Sequence, residues 1–129
     1  MLSDIARTDA LTAATDTSVA SVVDAMRTRD ESFVVVLDEQ RPVGVVSAAD
    51  IGLAVGTDSL PTLPAADLAD DPVTIRERAS RAGLLSRFRE TGVERLVVVD
   101  DADEFVGVVS RRSLLATYAD EFDALFALF

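Results

Sequence analysis

The sequence predicts an α/β fold of the mixed α+β kind: two β-α-β-β-α repeats packed sheet to sheet about a pseudo-twofold axis. Three observations carry this prediction: an internal duplication, paired valine-rich runs split by polar turns, and an apolar helical stripe ahead of each pair. In the duplication, "FVVVLDEQRPVGVVSAADI" (Phe33 to Ile51) lies over "LVVVDDADEFVGVVSRRSL" (Leu96 to Leu114) without a gap, at a constant offset of 63. Five consecutive residues are identical, Val43-Gly44-Val45-Val46-Ser47 over Val106-Gly107-Val108-Val109-Ser110. Upstream the offset becomes 62, with "DALT" (Asp9 to Thr12) over "DPVT" (Asp71 to Thr74), and Val22, Val23 and Met26 over Leu84, Leu85 and Phe88. A loop between helix and strand absorbs the difference of one residue.

Each repeat opens with a short strand, about Leu11 to Ala13 and Val73 to Ile75. A helix follows, because Val19, Val22, Val23 and Met26 recur at the i, i+3, i+4, i+7 spacing of one helical face. The β-branched runs "FVVV" and "VGVV", separated by the polar turn Asp38 to Arg41, read as a hairpin. Asp100 to Glu104 is the corresponding turn of the second repeat. A further helix starts at Ser47 and again at Ser110. The linker Gly56 to Asp71 carries Pro61 and Pro64, which interrupt regular structure. Residues 1–60 are therefore assigned to the first repeat, and 61–129 to the second with a C-terminal helical extension. Three short strands cannot bury both faces of a sheet, so the valine runs of the two repeats are expected to meet.

Composition narrows the function. A chain of 129 residues is the size of one compact domain. Cysteine and histidine are both absent, which removes the usual nucleophiles, proton shuttles and soft-metal ligands, so neither catalysis nor a metal site is expected. A formal charge of −11 repels a phosphate backbone and argues against nucleic acid as a partner. The apolar runs are too short to cross a membrane. The N-terminus lacks the basic start and apolar stretch of a secretory signal, so a cytoplasmic location is expected. Every basic residue is arginine and aspartate outnumbers glutamate, a balance that resembles the proteins of salt-loving microbes. Molar salt shortens the Debye length to about 3 Å and lets dense carboxylates coexist. An acidic protein from a GC-rich genome has the same composition.

"DPVTI", the amphipathic helix, the segment "GVERLVVVDDADEFVGVVSRRSLL" and their duplication resemble a tandem pair of cystathionine-β-synthase (CBS) domains, a Bateman module. The resemblance covers nearly the whole chain. It implies a regulatory module whose cleft between repeats binds an adenosine-containing ligand: AMP, ADP, ATP or S-adenosylmethionine. It also implies pairing into a homodimer. The family pattern Gly-h-h-(Ser/Thr)-x-x-Asp is complete in Gly44-Val45-Val46-Ser47-Ala48-Ala49-Asp50. By that resemblance Ser47 faces phosphate or ribose, and Asp50 accepts from both ribose hydroxyls. An ionised carboxylate, which only accepts, suits a cis-diol. Ser-x-x-Asp at a strand-to-helix junction also reads as a capping box, and one side chain can serve both roles in turn.

The same resemblance places Pro72 and Val73 near the adenine, with Val93, Glu94 and Arg95 next to them and Arg95 as the phosphate partner. Glu94 opposes phosphate. In the second repeat Ser113 stands where the aspartate belongs, so the cleft at Ser110 and Ser113 is expected to be weak, altered or empty, leaving one competent site per chain. A dimerisation or docking platform with both clefts vacant is the alternative. The arginines between Arg76 and Arg95 read as a solvated face paired at i+3 and i+4, except Arg81, whose counterpart Val19 belongs to the apolar stripe. The C-terminal run places Leu114, Leu115, Tyr118, Phe122, Leu125, Phe126 and Phe129 at helical spacing. It either folds back on its own module or meets a dimer mate or another protein.

Overall fold

The computed structural model describes residues 1–114. Two three-stranded sheets have the same topology. In the first, β1 (Thr12–Ala14) runs parallel to β2 (Phe33–Asp38), which pairs antiparallel with β3 (Arg41–Ser47). In the second, β4 (Thr74–Arg76), β5 (Arg95–Val99) and β6 (Phe105–Ser110) repeat that order. The opening strands start one residue later than expected, yet the carbonyls of Leu11 and Val73 still accept from the N–H groups of Val35 and Val97.

The parallel step in each repeat is made by a helix, α1 (Val19–Arg29) and α4 (Arg81–Thr91). Ser18 and Ser80 cap their N-termini by accepting from Ser21 N–H and Gly83 N–H, and both helices stop at a left-handed residue, Asp30 and Gly92. The buried stripe is narrower than the sequence suggests: Val19, Val22 and Met26 are buried in α1, and Leu84 and Phe88 in α4, while Leu85 is exposed. Arg81 is exposed at the first turn of α4. The second helix of the first repeat is α2 (Ala48–Ala54), and residues 111–114 begin its counterpart. The linker contains a 3-10 turn, Leu60–Thr62, and the short helix α3 (Ala65–Leu68).

Strand alternation sorts the valines into three clusters. Val34, Val36 and Val46 face α1, and Leu96, Val98 and Val109 face α4. Val35 points the other way and meets Val97, Val99 and Val108 in a third cluster between the sheets. Both sheet faces are thus buried, which explains near-continuous valine runs without a polar face.

The segment leading into each repeat packs on the other one. Leu2, Ile5 and Ala6 join the core of the second repeat, and Arg7 bridges Val108 on the edge of β6. Ala65, Leu68 and Ala69 join the core of the first, and Asp70 bridges Val45 on the edge of β3. The two crossings obey the offset of 63 that relates the repeats. They also explain the glycine in each "VGVVS". A Cβ on Gly44 would stand 2.6 Å from Ala69 Cβ, and one on Gly107 would stand 2.8 Å from the Arg7 carbonyl oxygen. Only glycine admits a chain so close across the strand.

Candidate functional site

The strand-to-helix junctions Ser47/Asp50 and Ser110/Ser113 stand at the ends of β3 and β6, the strands whose edges the lead-in segments cross. At the second junction lies a cavity of about 460 Å³, lined by Ile5, Ala6, Arg7, Ala10, Asp30, Glu31, Ser32, Phe33, Arg95, Val108, Ser110 and Ser113. Residues of both repeats form its wall. Shifted by the repeat offset, 63 in the hairpin strands and 62 ahead of the first strand, Val108, Ser110, Ser113 and Ala10 become Val45, Ser47, Asp50 and Pro72. These four predicted residues are thus pseudo-symmetric mates of the observed lining.

At the first junction Ser47 and Asp50 form a capping box. Asp50 Oδ2 accepts from Ser47 N–H at 2.9 Å, and Ser47 Oγ accepts from Asp50 N–H at 3.2 Å. Both residues are half-buried. Asp70, carried in by the linker, faces Asp50. The negative charge of Asp50 raises the Asp70 pKa above the ordinary carboxylate value, with a smaller contribution from desolvation. Pro72 is half-buried, and Val73 packs against the second repeat's core. Val93 packs there too, while Glu94 pairs with Arg111 at 3.7 Å.

Arg95 leads away from this junction. Its guanidinium lies 4.9 Å over the Phe33 ring and donates to Ser32 Oγ at 3.3 Å, on the wall of the second cavity. Sequence reasoning missed Arg7, Arg29 and Glu31. The Glu31 side chain, only 9% exposed, is held by Arg7 and, at 3.3 Å, by Arg29. Arg7 also pairs with Asp9 at 3.1 Å, and this hydrogen bond holds the Asp9 carboxyl below its ordinary value. The available signal was the repeat itself, because the offset that places Asp70 beside Asp50 places Arg7 beside Ser113. At the second junction Ser113 N–H donates to Ser110 Oγ at 3.0 Å, so a serine box replaces the serine–aspartate box.

The sign of the Asp70 shift makes stability depend on pH. A carboxyl whose folded pKa is raised binds its proton more tightly in the folded state, so its unfavourable contribution disappears as pH falls through that raised value. Asp70→Asn is expected to be more stable than the parent chain at pH 7, the difference vanishing below the ordinary carboxylate range near pH 3.9. Urea midpoints of both chains across pH 3 to 7 check this, and a difference independent of pH would contradict it.

Among the described residues no group of three or more acidic, histidine or cysteine side chains is placed to hold a metal, and no helix is long and apolar enough to cross a membrane. The family model for the CBS domain matches residues 2–55 and 65–120. A comparison with curated protein sequences finds no match. Among solved structures, a CBS domain protein of Pyrobaculum aerophilum complexed with AMP is similar at a TM-score of 0.77 and 25% identity, over 87% of this chain and 88% of that one. Hypoxic Response Protein I with two coordinated zinc ions gives a TM-score of 0.76 and 25% identity, over 89% and 96%. The CBS domain pair of protein MJ0100, in complex with 5′-methylthioadenosine and S-adenosyl-L-methionine, shares the fold at a TM-score of 0.79 and 16% identity, over 94% and 97%. Two matched repeats, two sheets of equal topology and a shared seam place the chain in the CBS domain family, as a tandem pair.

Proposed function

We propose that the chain is a regulatory, non-catalytic module that binds an adenosine-containing ligand in the seam, with one diol-reading site per chain built on Asp50. The observation that carries this reading is the half-buried Ser47–Asp50 pair at the end of β3, on the strand edge that Asp70 crosses. The cavity at its pseudo-symmetric mate is walled by both repeats, and a ligand touching both would favour one mutual arrangement over others. Asp50 is the acceptor for the ribose hydroxyls once it exchanges its single backbone hydrogen bond for them. Ser47 lies beside it, with Val45, Pro72, Val73 and Val93 supplying backbone groups and apolar contact. The AMP complex of the Pyrobaculum aerophilum relative supports this ligand class, and AMP, ADP, ATP and S-adenosylmethionine all belong to it.

A second reading, a dimerisation or docking platform, is favoured by Leu53 and Val55, which are 89% and 72% exposed at the end of α2. The aromatic run Leu115 to Phe129, considered above for the same role, lies outside the described residues. Isothermal titration with adenosine, AMP, ATP and S-adenosylmethionine separates the two. Saturation of one diol-dependent site per chain is expected. No heat at millimolar ligand, together with a stable dimer in sedimentation, would leave the platform standing.

A further inference from the structure

The chain that leaves α2 doubles back over α1 before it enters the second repeat. The Leu63 carbonyl accepts from Val19 N–H at 2.9 Å, Pro64 bridges Ser18, and the 3-10 turn Leu60–Thr62 packs on α1. Under this cover Val19 is only 2% exposed. The second repeat begins the same path. Leu114, the counterpart of Ile51, is buried in one cluster with Leu84 and Phe88 of α4, so the chain passes out of the described residues beside that helix. Leu63 lies twelve residues beyond Ile51, and the offset of 63 puts Phe126 twelve residues beyond Leu114.

At α4 both sides of this contact change character together. Arg81 stands in the place of Val19 and is exposed, as is Leu85 one turn on. The helix carries Arg81, Arg87 and Arg89 against a single acid, Glu90, in a chain whose net charge is −11. The stretch that matches Thr57 to Leu63 is Asp120 to Phe126, which brings Asp120, Glu121 and Asp123, with Asp123 in the place of Leu60. Where the first repeat sets leucine beside valine, the second offers acids to an arginine, and opposite charges on facing segments attract. We infer that residues 115–129 dock on α4 of their own chain, with Asp120, Glu121 and Asp123 around Arg81 and Phe126 seated on the first turn as Leu63 is on α1. The aromatic run is then spent inside the chain that carries it. This docking is independent of any ligand in the seam.

Amide hydrogen exchange of the full chain tests the inference at Leu84, whose N–H donates to the Ser80 carbonyl in the first turn of α4, and at Leu85 beside it. Arg81→Gln, and separately the triple variant Asp120→Asn, Glu121→Gln and Asp123→Asn, should each speed this exchange about fivefold. Combining the two sets should add little, because both remove one shared contact. Phe126→Asp should speed exchange at least as much. Arg81→Gln alters an exposed side chain, so the fold survives it and the readout stays interpretable. Since the chain has no cysteine, Arg81→Cys combined with Phe126→Cys shows whose segment fills the seat, and mild oxidation should close a disulfide within one chain. A disulfide joining two chains would give the seat to a second copy and overturn the inference. So would additive effects of the two charge sets, or exchange at Leu84 and Leu85 that none of the variants alters.

Discussion

Val35→Asp is expected to leave the chain unfolded at neutral pH. Val35 is fully buried, on the sheet face that meets Val97, Val99 and Val108 of the other repeat. Losing its apolar contact costs about 1.5–3 kcal/mol, and an unpaired buried carboxylate adds about 3–5 kcal/mol. Together these rival the ~5–15 kcal/mol by which a domain of this kind is stable. Circular dichroism should lose its cooperative melt. The same substitution at Val43, which is 44% exposed on β3, should change stability by no more than about 0.5 kcal/mol. A Val35→Asp chain that melts cooperatively near the parent temperature would mean that the sheets do not rely on each other.

Asp50→Ala should weaken adenosine binding by about 1–3 kcal/mol, roughly fivefold to 150-fold, because a charged acceptor of two hydroxyls is lost. Adenosine is the chosen probe since it carries the diol without the phosphate. Alanine also removes half of the capping box, so a second variant is needed to separate cap from ligand. Asp50→Gln keeps a residue type that closes such a box but removes the charge. Its melting temperature is expected to stay near the parent value while its affinity for adenosine falls as in the alanine variant. If both variants bind adenosine as the parent does, Asp50 is a cap and nothing more.

Much of the architecture was legible because it is written twice. The offset of 63 fixed which strands correspond, and valines on both faces of β2 and β5 required cover on both sides. What escaped was the exchange of lead-in segments. Gly44 and Gly107 signal close approach, but a glycine does not say what approaches, and the answer is the chain itself. Two of the arginines, Arg76 and Arg78, depart from the helical-face reading for a related reason. Arg76 and Arg78 find Asp103 and Asp101 rather than helical neighbours, because β4 runs beside β5 and so ends next to the β5–β6 turn. Local spacing describes a helix surface, whereas these pairs depend on which strands are adjacent.

The candidate site shows the same division. Ser47 and Asp50 were visible through their spacing, and their mutual hydrogen bonds are local. Asp70 opposite Asp50 and Arg7 beside Ser113 needed the tertiary crossing, so the contrast in charge between the clefts became apparent only with the fold. A side chain as long as Arg95 can cross a pseudo-twofold seam, and no motif states which side it takes.

A crystal of the chain soaked in AMP tests the central claim most directly. Density for the nucleotide is expected inside the seam, touching residues of both repeats, with the ribose hydroxyls on Asp50, the phosphate on Arg95, or one molecule at each. A fully occupied nucleotide on the outer helical surface, or a seam that stays vacant in crystals that bind AMP in solution, would contradict it.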